Sequence, residues 1–425
     1  MKTGELKEAF AKGKYSELLK DIYDDESLIQ HEQERYVKAI SKFEELYGER
    51  EVEIYSAPGR TEIGGNHTDH QQGQVLAASI NLDVIAICAK TDDGNIKIVS
   101  DNYDIKPISI KDLSKKKEEE GTSEGLIRGV AFKFQEDGYK TGGFVSYMTS
   151  EVLVGAGLSS SAAFEVAVGT ILSGMYNDMK ASAVYIAKVA QYTENEYFGK
   201  PCGLMDQMAS SVGSLVNIDF LDKEAPKINR LDVDFDKFGH SLCIVDTKGD
   251  HSDLTDEYAA VPLEMKKVAA FFGKKVLREV DPKDFYEKIP EIRKKTGDRA
   301  VLRAMHFFED HARVGLEVEA LEKGEFEAFK NLVTESGNSS FKYLQNVYAT
   351  CDLQNQSVSL CLALTEKYLG DKAAYRVHGG GFAGTIQVFI PNEDVEDYKK
   401  YIETYFGKGS CHVLKIRKYG GMKVL

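Results

Sequence analysis

Gly155, Ala156, Gly157, Leu158, Ser159, Ser160 and Ser161 form a run of residue types that can hold a phosphate. Glycines let backbone N–H groups approach an anion closely, and a helix N-terminus adds unpaired donors and about half a positive charge. Serine hydroxyls can bond phosphate oxygens or a magnesium ion. The run follows an apolar piece, Val152-Leu153-Val154, and opens a strongly apolar helical pattern. The alternative is a plain glycine turn followed by a serine N-cap. The run is not a GK[ST] phosphate loop, and Ser160 stands where a dinucleotide fingerprint needs its third glycine.

A second segment, GRTEIGGNHTDH at 59–70, is polar and glycine-rich. It can present Asn66, His67 and Asp69 to a polyhydroxylated ligand through directional hydrogen bonds. A metal site from His67, Asp69 and His70, or a purely structural turn, are the competing readings. A third signal is a pair of carboxylates, Glu194 and Asp206. Asp206 lies in PCGLMDQ, inside an otherwise uncharged stretch. A carboxylate there needs a partner, because an unpaired buried charge is costly. Arg60 is the candidate, and an aspartate beside a cation stays ionised and can orient or deprotonate a hydroxyl. A glycine turn at 379–384, GGGFAG, is weak taken alone.

The elements that must position these groups follow from periodicity. EVEIYS at 51–56 alternates as a strand and is expected to break at Ala57-Pro58-Gly59. Ile80, Leu82, Val84, Ala86 and Cys88 alternate again, and NIKIVS at 95–100 predicts another strand. Phe164, Ala167, Val168, Ile171, Leu172 and Met175 fall at helical spacing over 162–177, and a second helix is expected over 182–197. Strands are predicted near 214–220 and 241–247, mostly helix over 254–345, and two short strands around the glycine turn within 375–391. The charged run 111–121 predicts a solvated loop or helix end and not a binding patch. Residues 1–48 carry two apolar stripes and predict a packed helical extension.

A chain of 425 residues predicts two domains. The expected division is the extension at 1–48, an N-terminal domain at 49–225 holding the nucleotide loop and Asp206, and a C-terminal domain at 226–425. The formal net charge of −14 argues against nucleic acid and anionic membranes as partners. It also requires any phosphate site to be built locally from backbone donors and a cation. Six scattered cysteines with no CxxC pair suit a reducing compartment. No apolar signal core and no run near the roughly 18 residues of a membrane span occur, so a cytoplasmic protein is expected.

Taken in order, the segments 59–70, 155–161, PCGLMDQ and 379–384 resemble the GHMP kinase superfamily, and the galactokinases within it most closely, from about residue 51 to the end. The resemblance implies an α+β, two-domain GHMP kinase-like fold with the active site in the cleft between the domains, and an ATP- and magnesium-dependent sugar kinase, expected as a monomer. It implies Asp206 as catalytic base or hydroxyl-orienting carboxylate, Arg60 as the cation that stabilises the transition state and holds Asp206 ionised, and 155–161 as the cradle for ATP phosphates with Ser100 nearby. It further implies Ser161 and Glu194 as magnesium ligands, and Asn66, His67, Asp69 and Tyr258 as sugar contacts. Several positions depart from the family pattern. Glu62-Ile63-Gly64 stands for Asn-Leu-Ile, Asn66 for a glutamate expected to bond the sugar's 6-hydroxyl, and His70 for a tyrosine. His378 and Ala383 replace smaller residues. Galacturonate or another galactose relative is therefore a second substrate expectation, and a silent sugar sensor on the same scaffold a third reading.

Overall fold

In the computed structural model, which describes all residues except 102, 154–156, 201 and 250–253, the strand expected at 51–56 does not stop at Pro58. It runs on as Glu53–Gly64 (β1). Proline has no N–H for a ladder, and the register against the next strand shifts between Pro58 and Arg60. That local irregularity lets the strand continue past the proline. Arg60 thereby sits on a strand and not in a loop.

Among the described residues the first sheet continues with Gln74–Thr91 (β2), Asn95–Ser100 (β3), Tyr103–Asp104 (β4), Ile108–Ser109 (β5), Gly143–Ser150 (β6), Leu215–Asp219 (β7) and Lys227–Leu231 (β8). A second sheet contains His240–Asp246 (β9), Ala374–His378 (β10), Thr385–Pro391 (β11) and Cys411–Leu414 (β12). The last strand, Met422–Lys423 (β13), crosses back to pair with β1. The first sheet runs β13-β1-β2-β6-β3-β4, with β5 on β3, β7 on β2 and β8 on β7; the second runs β10-β11-β9-β12. Among the described residues only β3 and β6 pair in parallel.

The first sheet is covered on both faces. Three N-terminal helices, Thr3–Ala11 (α1), Ser16–Tyr23 (α2) and Ile29–Tyr47 (α3), bury Leu6, Phe10, Ile22, Tyr36, Ile40 and Phe43 against Ile54, Ile85 and Ile87. Ser123–Glu136 (α4), Ser160–Asn177 (α5) and Ala183–Thr193 (α6) cover the opposite face, where Tyr55, Ala57, Ala86 and Cys88 point. Successive strand side chains alternate between faces, so two buried faces produce the near-continuous apolar β2. The short Met205–Val212 (α7) follows. Thr255–Phe271 (α8), Pro282–Glu287 (α9), Ile289–Thr296 (α10), Asp298–Lys323 (α11) and Phe326–Ser339 (α12) supply the helical region foreseen at 254–345. Ser357–Leu369 (α13) and Val395–Phe406 (α14) pack on the second sheet around Val358, Val388 and Tyr398.

Asp83 on β2 is a buried hub that ties the extension and the C-terminal tail to the sheet. Its Oδ1 accepts from Arg35 Nη1 of α3 at 2.6 Å. Its Oδ2 accepts from Tyr23 of α2 at 2.9 Å and from Arg417 Nη1 of the tail at 2.7 Å. The Ser56 hydroxyl donates to the same oxygen. Burial alone would raise this carboxyl's pKa, but Arg35 and Arg417 outweigh it and hold the group ionised. All six cysteines are free thiols. No helix among the described residues is long and apolar enough to cross a membrane.

Candidate active site

The phosphate-loop residues meet the acid–base pair at the start of α5. Arg60 on β1 grips Asp206 on α7 with two parallel bonds, Nε to Oδ1 and Nη2 to Oδ2, each 2.7 Å. Planar bidentate pairing of this kind is strong and directional. The third guanidinium arm, Nη1, donates to the carbonyl of Gly157, and the Arg60 backbone N–H donates to Leu158 O at 3.1 Å. The Ser159 hydroxyl donates to Asp206 Oδ2. Burial pushes the Asp206 carboxyl up, but Arg60 first and Ser159 after it bring it below the ordinary aspartate range. The arginine is buried, while one-third of the aspartate side chain stays exposed. The carboxylate is therefore fixed, ionised and reachable.

Ser159 is the N-cap residue of α5, with φ near +57°, yet its side chain does not cap the helix. Its hydroxyl is spent on Asp206 instead. The first-turn N–H groups of α5 lack a serine cap and can face an anion. This weighs against the plain capping alternative. Ser160 and Ser161 begin the helix, half-buried. Gly155 and Ala156, the other loop residues expected to hold phosphate, lie outside the described residues. Ser100 ends β3 opposite Met148 of β6, two residues before the end of the strand that feeds the loop.

Ser161 Oγ lies 3.3 Å from Glu194 Oε1. Glu194 stands where α6 widens into a π-turn, Glu194–Phe198, a geometry frequent at functional sites. The carboxylate is buried; Gln207 Nε2 holds its other oxygen at 2.7 Å, and Lys200 Nζ donates to the oxygen that faces Ser161 at 3.2 Å. A hydroxyl and a carboxylate oxygen converging beside a helix N-terminus are hard donors of the kind magnesium takes.

Asn66, His67 and Tyr258 gather around the glycine turn that looked weak by sequence. Its three consecutive carbonyls each take a bond: Gly379 O from Asn66 Nδ2 at 2.6 Å, Gly380 O from His67 Nε2 at 2.9 Å, and Gly381 O from the Tyr258 hydroxyl at 2.7 Å. His67 is neutral, its pKa lowered to about 3 by burial first and by His70 second. Since a carbonyl only accepts, Nε2 carries the ring proton. Asp69 reaches across to the Asp206 segment: a Cβ on Gly203 would lie 1.8 Å from Asp69 Oδ2, so only glycine lets the two loops meet.

Asn66 departs from the expectation of a ligand-facing group. It is fully buried. Its amide donates to Glu62 Oε1 at 3.0 Å and to Gly379 O, and its Oδ1 accepts from Asn346 Nδ2 at 2.8 Å and Ser340 Oγ at 3.2 Å. His306 and Asp310 of α11 bond its backbone O and N at 2.9 and 2.8 Å. An asparagine has two donors and two acceptor sites, and here all are taken by protein. Sequence reasoning missed Gln207, Lys200, Asn346 and Ser340. Gln207 was adjacent to Asp206 in PCGLMDQ; the others carry no local signal.

Behind Asn66 lies a buried ionic network. Arg376 bonds Glu62 at 2.6 Å. Glu317 of α11 presses against Gly64 with its Oε2 unpartnered among the described residues. Burial, then Asp310, push the Glu317 carboxyl up to about 8. A raised folded pKa means the native state keeps a proton the unfolded chain has lost. Stability from this group is full below pH 4.5 and declines as pH rises toward 8. Glu317→Gln keeps the shape without the titration. We expect it to flatten the fall in unfolding free energy between pH 5 and 8.5, by on the order of 3 kcal/mol at the alkaline end. Denaturant titrations of both proteins across that range test this; parallel pH profiles would remove Glu317 as the source.

The comparisons with known proteins agree with this geometry. The galactokinase galactose-binding signature matches residues 41–90 and the GHMP kinases N terminal domain matches 125–214. The galactokinase of Actinobacillus pleuropneumoniae serotype 3 (strain JL03) is 31% identical over 373 residues, 87% of this chain and 93% of that protein. The chain belongs to the galactokinase family. The galactokinase of Streptomyces coelicolor is 29% identical over 86% of this chain and 91% of its own length. Among solved structures, Lactococcus lactis galactokinase complexed with galactose superposes with a TM-score of 0.78 at 21% identity, covering 90% of this chain and 98% of that one. Methanococcus jannaschii mevalonate kinase superposes at 0.60 with 16% identity, over 86% and 98%. The fold is thus the two-domain α+β fold of the GHMP kinases, and galactokinase family membership makes the chain a sugar kinase with ATP as its phosphoryl donor.

Proposed function

We propose that this chain transfers the γ-phosphoryl group of ATP to the 1-hydroxyl of galactose, releasing ADP. The observation that carries the reading is the Arg60–Asp206 pair at the N-terminus of α5, next to Asp69. Asp206 orients the sugar hydroxyl and takes its proton as the new O–P bond forms and the bond to the β-phosphate oxygen breaks. Arg60 holds Asp206 ionised and bonds Gly157 and Leu158 of the segment 155–161, which together with Ser100 would cradle the ATP phosphates. Phosphoryl transfer asks mainly for positioning and charge neutralisation, which these groups can supply. Ser161 and Glu194 would hold a magnesium ion, which when bound neutralises phosphate charge.

Asp69, His67 and Tyr258 contact the sugar hydroxyls in this reading. Asn66 serves it indirectly, by fastening the loop to the glycine turn. A monomer working in a reducing cytoplasm suits the six unpaired thiols.

The test is ATP consumption with magnesium against galactose, galacturonate, N-acetylgalactosamine, glucose and arabinose. Galactose is expected to give the highest kcat/KM by at least about tenfold, one 1.4 kcal/mol step in transition-state binding. Phosphorus NMR should place the phosphate on C1. Faster turnover of galacturonate would move the substrate, and silence on every sugar would favour a sensor.

A further inference from the structure

His378 is a buried titratable residue that the reaction does not directly use, and it stands at a junction. It ends β10, immediately before the glycine turn whose carbonyls hold Asn66, His67 and Tyr258. Its Nε2 lies 3.2 Å from the Glu62 backbone N–H and 3.0 Å from Thr61 Oγ1, both on β1 next to Arg60. Its Nδ1 lies 2.9 Å from Thr385 Oγ1 on β11. The phosphate-loop turn packs directly on this pair: a Cβ on Gly157 would sit 3.0 Å from Thr385 Oγ1 and 3.3 Å from His378 Nδ1. Gly157 is also the residue whose carbonyl Arg60 holds.

We propose that His378 is a positioning residue for phosphoryl transfer, its ring locking the Arg60 strand, the Gly157 turn and the glycine turn into one register. The inference rests on the kinase reading above. The tautomer is determined by the partners. A backbone N–H can only donate, so Nε2 must be the bare nitrogen. Nδ1 therefore carries the proton and donates to Thr385 Oγ1. The ring works only when neutral. Burial first, then Arg60 on β1 and Arg376 on its own strand, keep it so against the opposing pull of Asp206 on α7. Glu62, the other charged residue on β1 at this point, spends its carboxylate on Arg376 and Asn66. One ring thus spans both halves of the cleft. A shift of its register would move Arg60 and the phosphate turn relative to Asp206, and misplacements near 1 Å cost about a hundredfold in rate.

The experiment measures kcat and both KM values for His378→Asn, His378→Gln and Thr385→Val in the full-length protein, with MgATP affinity by calorimetry. His378→Asn, too short to accept from the Glu62 N–H, is expected to lose about ten- to a hundredfold in kcat with galactose KM nearly unchanged. His378→Gln, which restores an acceptor at that distance, should recover part of the loss. Thr385→Val, isosteric and without the proton acceptor, should lose severalfold and decides the matter if His378→Asn does not fold. Parent-like kcat, within twofold, in whichever of those two variants is folded would overturn the proposal, as would a loss confined to galactose KM. The parent enzyme is assayed alongside. If it is inactive on galactose the substrate reading fails, and His378 is then judged on MgATP affinity alone. A drop of about tenfold in His378→Asn supports the lock, and unchanged affinity overturns it.

Discussion

Asp206→Asn should abolish sugar phosphorylation while ATP still binds. The substitution keeps the side chain's shape and leaves a single oxygen, which can still accept from the Ser159 hydroxyl and from one Arg60 arm. What it removes is the charge that makes the carboxylate a proton acceptor, together with half of a bidentate pair. Positioned acid–base groups contribute roughly 10²–10⁴ in rate, so a fall in kcat of that size is expected. The phosphate loop is built from the start of α5 and does not need Asp206 for its N–H groups, so ATP affinity should change by no more than severalfold. Arg60 is left buried with a neutral partner, and some loss of stability accompanies the change. Steady-state turnover together with calorimetric ATP titration separates the two effects. Residual kcat within tenfold of the parent would remove Asp206 from the proton-accepting role.

The largest effect on stability is expected at Asp83→Asn, far from the chemistry. The change leaves two buried guanidinium groups, Arg35 and Arg417, facing a neutral amide. Breaking a buried pair from one side typically costs about 3–5 kcal/mol, because the remaining charge is desolvated without compensation. Among the described residues Arg417 has no other carboxylate partner, whereas Arg35 keeps Glu32 at 3.2 Å, so a loss within that range is expected. The first consequence should be local, since Tyr23 and Arg35 bond this carboxylate from the N-terminal helices and Arg417 bonds it from the tail. Limited proteolysis should cut the extension before the rest, and the denaturant midpoint should drop. An unchanged midpoint with a protease-resistant extension would show that the hub is dispensable.

How far the site was legible depended on whether its chemistry was local. The phosphate loop could be read because glycines, serines and an apolar helix stand side by side in the chain. The carboxylate in PCGLMDQ could be read because it was the one charge in an uncharged stretch and so needed a partner. The course of β1 was misread at Pro58. Proline stops ladders on propensity grounds, and only a register shift against β2 allows the strand to continue. The glycine turn at 379–384 was undervalued for a similar reason. Its function lies in three backbone carbonyls, and a carbonyl has no identity in a sequence.

Asn66 marks the same boundary most sharply. Its residue type signalled a departure from the family's glutamate, and a ligand-facing amide was the natural expectation. Its direction was decided by Glu62, Ser340, Asn346 and Gly379, which saturate it inside the protein.

By itself, then, the amino-acid sequence determined the family, the order of the motifs, the residue types available for phosphoryl transfer and the alternation and helical periods that build two covered sheets. These are properties of neighbours along the chain, where a period of two or of 3.6 records which face is buried. The tertiary structure alone decided that Arg60 meets Asp206 across 146 positions, that Ser159 serves the aspartate and not its helix, and that His378 reaches β1 across more than 300. Such pairings leave no periodic trace, because each depends on side-chain bonds between segments far apart in the chain that only the folded structure brings together.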